Sequence, residues 1–226
     1  MASGKFSRRR LRPQIKHALL SLAAAAQCAA AQPSAADARA AGLATLEAFL
    51  ADVRSLTAEF EQQLWNADKE LLQTDRGTLA LERPNRFRWI YREPSELTVV
   101  ADGKTVWVYD VELAQVTVAP FDDSVGSSPA ILLSGDRNVR DGFDVVDAYK
   151  GDGLDWIKLK PKAGGSDFTS LLIGFEGTTP RRLELVDGLN EVTRITFEGL
   201  DVNPDLDDAL FKFDVPPGVD VIGAER

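Results

Sequence analysis

Few residue types in this 226-residue chain could carry out chemistry. It contains one cysteine, Cys28, and one histidine, His17, and both lie in an N-terminal stretch that we expect to be removed. Without a thiol or an imidazole, a cysteine nucleophile, a serine–histidine–aspartate triad and a histidine metal site are excluded. The sequence has no G-x-S-x-G elbow and no phosphate-binding loop. The residues therefore favour a binding protein over an enzyme.

Two acidic patterns could suggest a metal or catalytic site. The run DVNPDLDDALFK begins like a calcium loop, with Asp201, Asn203 and Asp205 at alternate positions. It has Leu206 where that loop needs glycine and Lys212 where it needs a bidentate glutamate, which indicates a solvated acidic loop. A pair of carboxylates could serve a glycoside hydrolase. With 35 acidic residues, however, some pairs are expected by chance.

The position of Arg83 among apolar residues is more unusual. In LERPNRFRWIYREP, residues 81–94, a period of two puts alternate side chains on one face of a strand. The face that includes Arg83 holds the residues an even number of positions away from it, which are Leu79, Leu81, Phe87, Trp89 and Tyr91. A guanidinium in a packed core is costly unless all its donors are matched. We therefore expect Arg83 at the mouth of a cavity, donating to carbonyl groups at a helix end.

Residues 1–31 have the pattern of a cleavable signal peptide. Six basic residues and no acidic one accompany an apolar run that begins at Ala18, and Ala29 and Ala31 fit an A-x-A cleavage site. The run is shorter than the roughly 20 apolar residues of a membrane-spanning helix. The motif SRRRLR is a partial twin-arginine pattern, so both bacterial export routes remain open.

Removal of this segment changes the charge of the chain. It leaves 20 basic residues against 35 acidic ones, a formal charge of −15. Such a surface argues against nucleic acid as a partner, because phosphates need a basic footprint. No thiol would remain to form a disulfide, so the core must be large enough to stabilise the exported protein alone.

Residues 32–226 are predicted to form one mainly β domain with some helix. Residues 35–53 repeat apolar side chains at helical spacing. Beyond them the period changes to two and turn residues separate the runs, which indicates an antiparallel meander, sandwich or barrel. The predicted strands lie near residues 57–65, 76–82, 86–92, 96–101, 105–110, 114–119, 143–149, 154–160, 167–176, 181–187, 190–199 and 210–215.

The segment SSPAILLSG, residues 127–135, interrupts the strand pattern. Pro129 suits a first helical turn and Gly135 suits its end. A helix this short is marginal in water by itself. It must therefore lie on another apolar surface, which it could also leave.

Five segments, in this order, resemble the family of periplasmic outer-membrane lipoprotein carrier proteins, the LolA family. They are LTAEFEQQ (56–63), ERPNRFRW (82–89), ADGKTVWVYD (101–110), SSPAILLS (127–134) and FKFDVPPGVDVI (211–222). The combination of R-P-N-x-F-x-W with D-G-K-T-x-W-x-Y is the most specific part. The resemblance covers nearly the whole exported chain.

The resemblance implies an unclosed antiparallel β-barrel, or half-barrel, with an N-terminal helix and a short lid helix over its concave apolar face. It also implies a periplasmic chaperone and not an enzyme. Such a protein takes acylated lipoproteins from an inner-membrane ABC transporter, shields their acyl chains and delivers them to an outer-membrane receptor. We expect a soluble monomer that needs no cofactor.

The resemblance assigns roles to individual residues. The family's lid latch falls on Arg83, which would donate to the carbonyl groups of Leu133 and Ser134. The transfer-sensitive aromatic falls on Phe87 and the cavity-lining tryptophan on Trp89. The predicted acyl-chain cavity comprises Leu56, Phe60, Leu79, Leu81, Phe87, Trp89, Tyr91, Trp107, Tyr109, Ile131 and Leu132.

Three points stay open at this stage. The chain could be an outer-membrane receptor or a lipid-sensing envelope protein of the same fold. A receptor needs an anchored cysteine, but Gln27 precedes Cys28 where a lipoprotein cleavage site needs Gly, Ala or Ser. An envelope enzyme would need two facing carboxylates in the cleft. Arg86 and Arg88 are more basic than the resemblance leads us to expect beside the aromatic residues.

Overall fold

The computed structural model describes residues 34–121, 133–135, 142–162 and 167–223. They belong to one unit, Pro33–Arg226, and the predicted signal peptide lies outside the described residues. The described part has one long helix, α1 (Ala35–Asp52), a 3-10 helix (Asp208–Phe211) and twelve strands. The strands are β1 (Ser55–Trp65), β2 (Leu71–Glu82), β3 (Arg86–Glu93), β4 (Leu97–Asp102), β5 (Thr105–Asp110), β6 (Gln115–Pro120), β7 (Phe143–Gly151), β8 (Leu154–Pro161), β9 (Phe168–Glu176), β10 (Thr179–Asp187), β11 (Val192–Val202) and β12 (Asp220–Gly223).

All twelve strands form one sheet that does not close. Their order is β12-β6-β5-β4-β3-β2-β1-β11-β10-β9-β8-β7, so β12 and β7 are the free edges. Neighbours run antiparallel except for the parallel pair of β12 and β6. The predicted mainly β fold with an open antiparallel half-barrel is confirmed. Most of the predicted lid segment, residues 127–134, lies outside the described residues.

Local sequence explains where α1 begins. The Ser34 hydroxyl accepts a hydrogen bond from the Asp37 amide (3.2 Å), and the Asp37 carboxylate accepts one from the Ser34 amide (3.2 Å). This capping box satisfies two of the donors that a helix start leaves free. The Ser34 hydroxyl also donates to the Asp37 carboxylate (2.7 Å), and this bond, followed by the one from the Ser34 amide, lowers the pKa of Asp37. Leu46 and Phe49 form the buried stripe of the helix. Among the described residues, no helix is both long and apolar enough to cross a membrane.

Gly42 lets α1 lie close to the sheet. A Cβ atom at this position would be 2.9 Å from the Ala148 Cβ atom on β7 and 3.2 Å from the Ile157 Cγ1 atom on β8. The helix therefore packs against β7 and β8 at a distance that a larger residue would prevent. Glycine has a lower helix propensity than alanine, but its lack of a side chain permits this close approach.

Two local predictions were wrong. The run near 210–215 is not a strand. Its first part belongs to the 3-10 helix, whose start is capped by the Asp207 carboxylate on the Ala209 amide (2.9 Å). Arg83 is not a strand residue either, because β2 ends at Glu82 and a turn follows. The strand alternation that predicted an inward-facing Arg83 therefore ends at Glu82, one residue before Arg83.

One apolar cluster fills the concave side of the sheet. Leu46, Phe49 and Val53 at the C-terminal end of α1 belong to it, as does Leu133. These residues cover the strand side chains and close the concave face in this structure. The strand members are Leu56, Ala58, Phe60, Leu79, Leu81, Phe87, Trp89, Ala101, Val106, Ile157, Leu159, Phe168, Leu171, Ile173, Phe175, Leu183, Ile195 and Phe197.

Gly77 is the tightest position in this wall. It lies opposite Phe60 on β1 and Tyr91 on β3. A Cβ atom here would be 1.8 Å from the Ile90 carbonyl oxygen and 2.8 Å from the Phe60 Cε1 atom. The nearest obstacle is backbone, which cannot rotate away as a side chain can.

We therefore expect Gly77→Ala to destabilise the protein. Overpacking of this kind costs about 2–3 kcal/mol, which corresponds to a fall in Tm of roughly 5–10 °C for a domain of this size. Thermal unfolding followed by circular dichroism measures the change. Gly188→Ala is the control, because nothing lies within 4 Å of a Cβ atom there. Equal Tm values for the two variants would contradict this account.

Candidate functional site

The aromatic wall predicted from β1, β2 and β3 lies on the concave face. Register places Leu56 opposite Leu81, and Leu81 opposite Phe87. The Phe60 ring lies 4.7 Å from the Trp89 ring, measured between centroids. The structure brings together Leu56, Phe60, Leu79, Leu81, Phe87 and Trp89, all at most 3% exposed, with Tyr91 half-buried beside them.

The second half of this face was not predicted from the sequence. Strands β8 to β11 and α1 supply side chains to the same cluster. Phe197 on β11 lies 6.4 Å from Trp89, and Phe175 on β9 lies 5.7 Å from Phe49 on α1. The alternation of apolar residues in FTSLLIGFE, the sequence of β9, was the sequence pattern from which this part could have been predicted. It predicted a strand without indicating that this strand shares a face with the aromatic residues.

The assignment of Trp107 and Tyr109 to the cavity was wrong. On β5 the side chains that face the concave cluster are Val106 and Val108, so alternation directs Trp107 and Tyr109 to the convex face. There both rings meet Phe213, at centroid distances of 6.3 Å and 5.8 Å. Ile131 and Leu132, the other predicted cavity residues beyond β5, lie outside the described residues.

Two arginines hold residues 208–215, which we call the C-terminal segment, on this convex face. Arg86 on β3 forms ion pairs with Glu82 and Asp208, each at 2.5 Å, and stacks on the Phe211 ring. Arg88 donates to the carbonyl oxygens of Leu210 (3.0 Å) and Lys212 (3.3 Å). The basic residues that looked out of place beside the aromatic wall thus face away from it.

The convex face has an apolar layer of its own. Val100 on β4 and Val116 on β6 are fully buried, and Phe211 is 1% exposed, yet none belongs to the concave cluster. The C-terminal segment covers them. Aromatic side chains therefore occur on both faces of the sheet, which is why residue type did not tell the two faces apart.

Arg83 connects two segments that cover the concave face. Its Nε donates to the Val53 carbonyl at the end of α1 (2.8 Å). Its Nη1 donates to the carbonyls of Leu133 (2.5 Å) and Gly135 (2.9 Å). The guanidinium also lies 4.8 Å above the Phe49 ring. These three hydrogen-bond partners are neutral main-chain oxygens, and the partner at Val53 was not anticipated from the sequence.

The contact with Ser134 differs from the prediction. The Ser134 carbonyl accepts from the Asn85 amide (2.9 Å), whereas the guanidinium reaches the carbonyl groups on either side of it. Asn85 has a positive φ of 64°, a conformation that Asn tolerates better than most residues. The turn that carries Arg83 is also held by the Arg83 amide, which donates to the Arg54 carbonyl (2.7 Å). Turn geometry, and not strand alternation, aims this side chain inward.

Burial sets the electrostatics of Arg83. Loss of solvent lowers the pKa of its guanidinium to about 10, so the group remains charged at neutral pH. Its Nη2 is buried and has no hydrogen-bond partner among the residues that the structure describes. The charged group is therefore incompletely matched, and the segments bound to it are held less firmly than a fully satisfied network would hold them.

In the described ranges, no group of three or more His, Cys, Asp or Glu side chains could hold a metal ion. The acidic run that resembles the start of a calcium loop instead begins with the last two residues of β11, Asp201 and Val202. Asn203, the next residue, binds the end of α1. Its side-chain oxygen accepts from the Arg54 amide (2.7 Å), and its side-chain nitrogen donates to the Asp52 carbonyl (3.0 Å).

Known proteins resemble this chain over most of its length. The model of the LolA family, described as outer membrane lipoprotein carrier protein LolA, matches residues 51–214. An outer-membrane lipoprotein carrier protein of Nitrosospira multiformis is 40% identical over 183 residues, which cover 80% of this chain and 88% of the relative. The chain belongs to the LolA family. This family is named for carriers and not for enzymes, in agreement with the conclusion drawn from the missing catalytic residues.

A second LolA-family relative, from Methylococcus capsulatus, is 41% identical over 176 residues and covers 78% of this chain and 85% of its own. The fold is also found beyond recognisable sequence similarity. The crystal structure of an uncharacterized conserved protein from Thermus thermophilus matches with a TM-score of 0.50 at 14% identity, over 81% of this chain and 97% of that one.

Arg88→Met should loosen the C-terminal segment of this LolA-family protein without altering the concave face. The substitution removes two charge-assisted hydrogen bonds to main-chain carbonyls, each worth about 1.5–3 kcal/mol in favourable cases. We expect faster limited proteolysis and faster amide hydrogen exchange across residues 208–215.

Arg92→Met is the matched control, because Arg92 lies near the end of the same strand and is exposed. Unchanged protection of residues 208–215 in Arg88→Met would show that the segment is held by its aromatic contacts alone.

Proposed function

We propose that this protein carries outer-membrane lipoproteins across the periplasm with their acyl chains against the concave face. The observation that carries the proposal is the bridge made by Arg83. It joins the end of α1 to residues 133–135 above a continuous apolar wall, through hydrogen bonds to neutral carbonyl groups. The wall supplies binding energy, and the bridge supplies a cover that can be released.

Acyl chains need such a wall. Each methylene group hidden from water is worth about 0.8 kcal/mol, so a multiply acylated protein cannot cross water unescorted. A carrier must also release its cargo, and a deep permanent pocket would retain it. The described concave face is closed by α1 and Leu133 in this structure, which protects the apolar wall when no cargo is bound.

The bridge has a strength suited to this exchange. Hydrogen bonds from a charged donor to carbonyl groups contribute on the order of 1–3 kcal/mol in total when solvent competition and the unmatched Nη2 are considered. That is enough to favour the closed empty state by roughly five- to 150-fold. Cargo that buries many methylene groups supplies more than this and displaces the cover.

The proposed route has an inner-membrane ABC transporter as donor and an outer-membrane receptor as acceptor. The N-terminal pattern of residues 1–31 supports export to the periplasm. The formal charge of −15 on the remainder suits basic surfaces on both membrane partners, since opposite charges speed protein encounters.

The central test is isolation of the exported protein from periplasm with its cargo. We expect an acylated lipoprotein to co-purify, and addition of the outer-membrane receptor to remove it. Mass spectrometry identifies the acylated N-terminus. Recovery of the protein only in membranes, with radiolabelled palmitate attached, would instead identify it as the outer-membrane receptor.

Arg83→Leu should impair delivery more than loading. Without the bridge, closing over an empty cavity gains less free energy, so release of cargo becomes less favourable by the same amount. We expect cargo binding to persist and transfer to the receptor to slow by about tenfold, equivalent to about 1.4 kcal/mol. Transfer is measured as the fraction of radiolabelled lipoprotein passed to receptor over time.

Arg54→Leu is the control for Arg83→Leu. Its side chain is exposed and lies next to the end of α1. Hydrogen exchange at residues 133–135 should quicken in Arg83→Leu and stay unchanged in Arg54→Leu. Transfer at the wild-type rate in Arg83→Leu would refute the proposed role of the bridge.

A further inference from the structure

A buried carboxyl group interrupts the apolar concave face far from Arg83. Asp75 on β2 is 7% exposed and lies opposite Gln62 on β1. Residues two positions apart along a strand lie on the same face, so Asp75 lies on the face of Gly77, Leu79 and Leu81. Asp75 lies roughly 23 Å from Glu82, the last residue of β2, at about 3.3 Å per residue, and Arg83 follows Glu82 in the turn. The two charged groups thus mark opposite ends of the wall.

Amide side chains hold this carboxyl group in place. Gln73 Nε2 donates to Asp75 Oδ1 (2.7 Å) and Gln62 Nε2 donates to Asp75 Oδ2 (3.3 Å). The Tyr91 hydroxyl donates to Gln62 Oε1 (3.2 Å). Burial, and next the charge of Asp75, raises the pKa of Tyr91, so its hydroxyl stays a donor. We call Gln62, Gln73, Asp75 and Tyr91 the rim cluster.

The rim cluster has unused acceptor capacity. A carboxylate offers about four acceptor positions, and two are occupied by neutral amides. No ion pair involves Asp75 within the described ranges. A buried carboxylate without a cation is costly, so packing alone does not account for it. Exposure rises from Asp75 to Gln73, which is exposed, and the cluster therefore spans the border between the apolar wall and solvent.

A second polar atom in the same wall lacks a partner. Trp89 is 2% exposed, and its indole Nε1 is buried with no hydrogen-bond partner among the described residues. Trp89 contacts Phe60 and lies 6.3 Å from the Tyr91 ring. The wall thus offers an unused donor at Trp89 and unused acceptor positions at Asp75, within an otherwise apolar surface.

An acylated protein has matching groups where its lipid joins the polypeptide. Ester and amide carbonyls there accept hydrogen bonds, and an amide or ammonium group donates them. When acyl chains lie in the cavity and the polypeptide lies in solvent, this polar junction must cross the border between them. We propose that the rim cluster binds the N–H donor of the lipid–peptide junction through Asp75. The inference rests on the proposed function and adds the part of the cargo that is recognised.

Three probes with the same alkyl chain test the proposal on the full exported protein. Dodecyl acetate has no N–H group, N-dodecylacetamide has a neutral one, and dodecylammonium has a charged one. We expect the wild type to bind at least one N–H probe about tenfold more tightly than the ester. Asp75→Leu should bind all three alike. Calorimetry measures Kd, and circular dichroism checks folding.

Two further variants make the result specific. Asp75→Asn keeps the shape and one carbonyl acceptor but removes the charge, so it should reduce preference for the ammonium more than preference for the amide. Glu61→Gln is the control, because Glu61 neighbours Gln62 and pairs with Arg76 on the opposite face. It should keep the wild-type preferences.

The outcomes separate this inference from the proposed function. Preference for the amide identifies a neutral junction, and preference for dodecylammonium identifies a free amine. Equal Kd values for all probes in the wild type, or a preference that survives in Asp75→Leu, would overturn the rim cluster as a binding site while leaving carriage intact. Failure to bind any probe or any lipoprotein would overturn both proposals.

Discussion

The guanidinium of Arg83 joins carbonyl groups from the end of α1 and from residues 133–135, so one side chain connects two segments that cover the concave face. Its partners are neutral and one of its nitrogens is unmatched among the described residues, so it fixes geometry without the firmness of a complete ion-pair network. A fully packed core would give greater stability but no route to opening. The incomplete match is therefore consistent with a cover that closes and opens.

The open sheet has two faces. Each is covered by a segment of the chain that is distant in sequence from many of the strands beneath it. α1 packs on the concave side, while the 3-10 helix and Phe213 pack on the convex side. Arg86 and Arg88 fasten the convex cover through ion pairs and main-chain carbonyls. One β-strand, β3, thus presents aromatic side chains to the concave face and arginines to the convex face. Alternation along this strand separates the apolar concave wall from the contacts that hold the C-terminal segment.

Much of this architecture could be predicted from local pattern. The helix and eleven of the strands were predicted correctly because apolar residues recur about every 3.6 positions in such a helix and at every second position in such strands. The assignment of Trp107 and Tyr109 failed for a physical reason. Their strand was found, but its inward side depends on register with β4, and the C-terminal segment makes the outward side apolar too. The burial of Asp75 and its contact with Gln62 likewise depend on strand pairing.

The sequence by itself determined the period of each element, the lack of thiol and imidazole chemistry, and the presence of an arginine beside an aromatic strand. Local sterics and side-chain type control these features, so they can be read without distant partners. Only the tertiary structure decided where Arg83 donates. Strand β2 ends at Glu82, before Arg83. The turn that follows, with a positive φ at Asn85, aims the Arg83 side chain at carbonyl groups 30 and 50 residues away. Contacts of such range arise from the packing of the whole sheet, which no local pattern encodes.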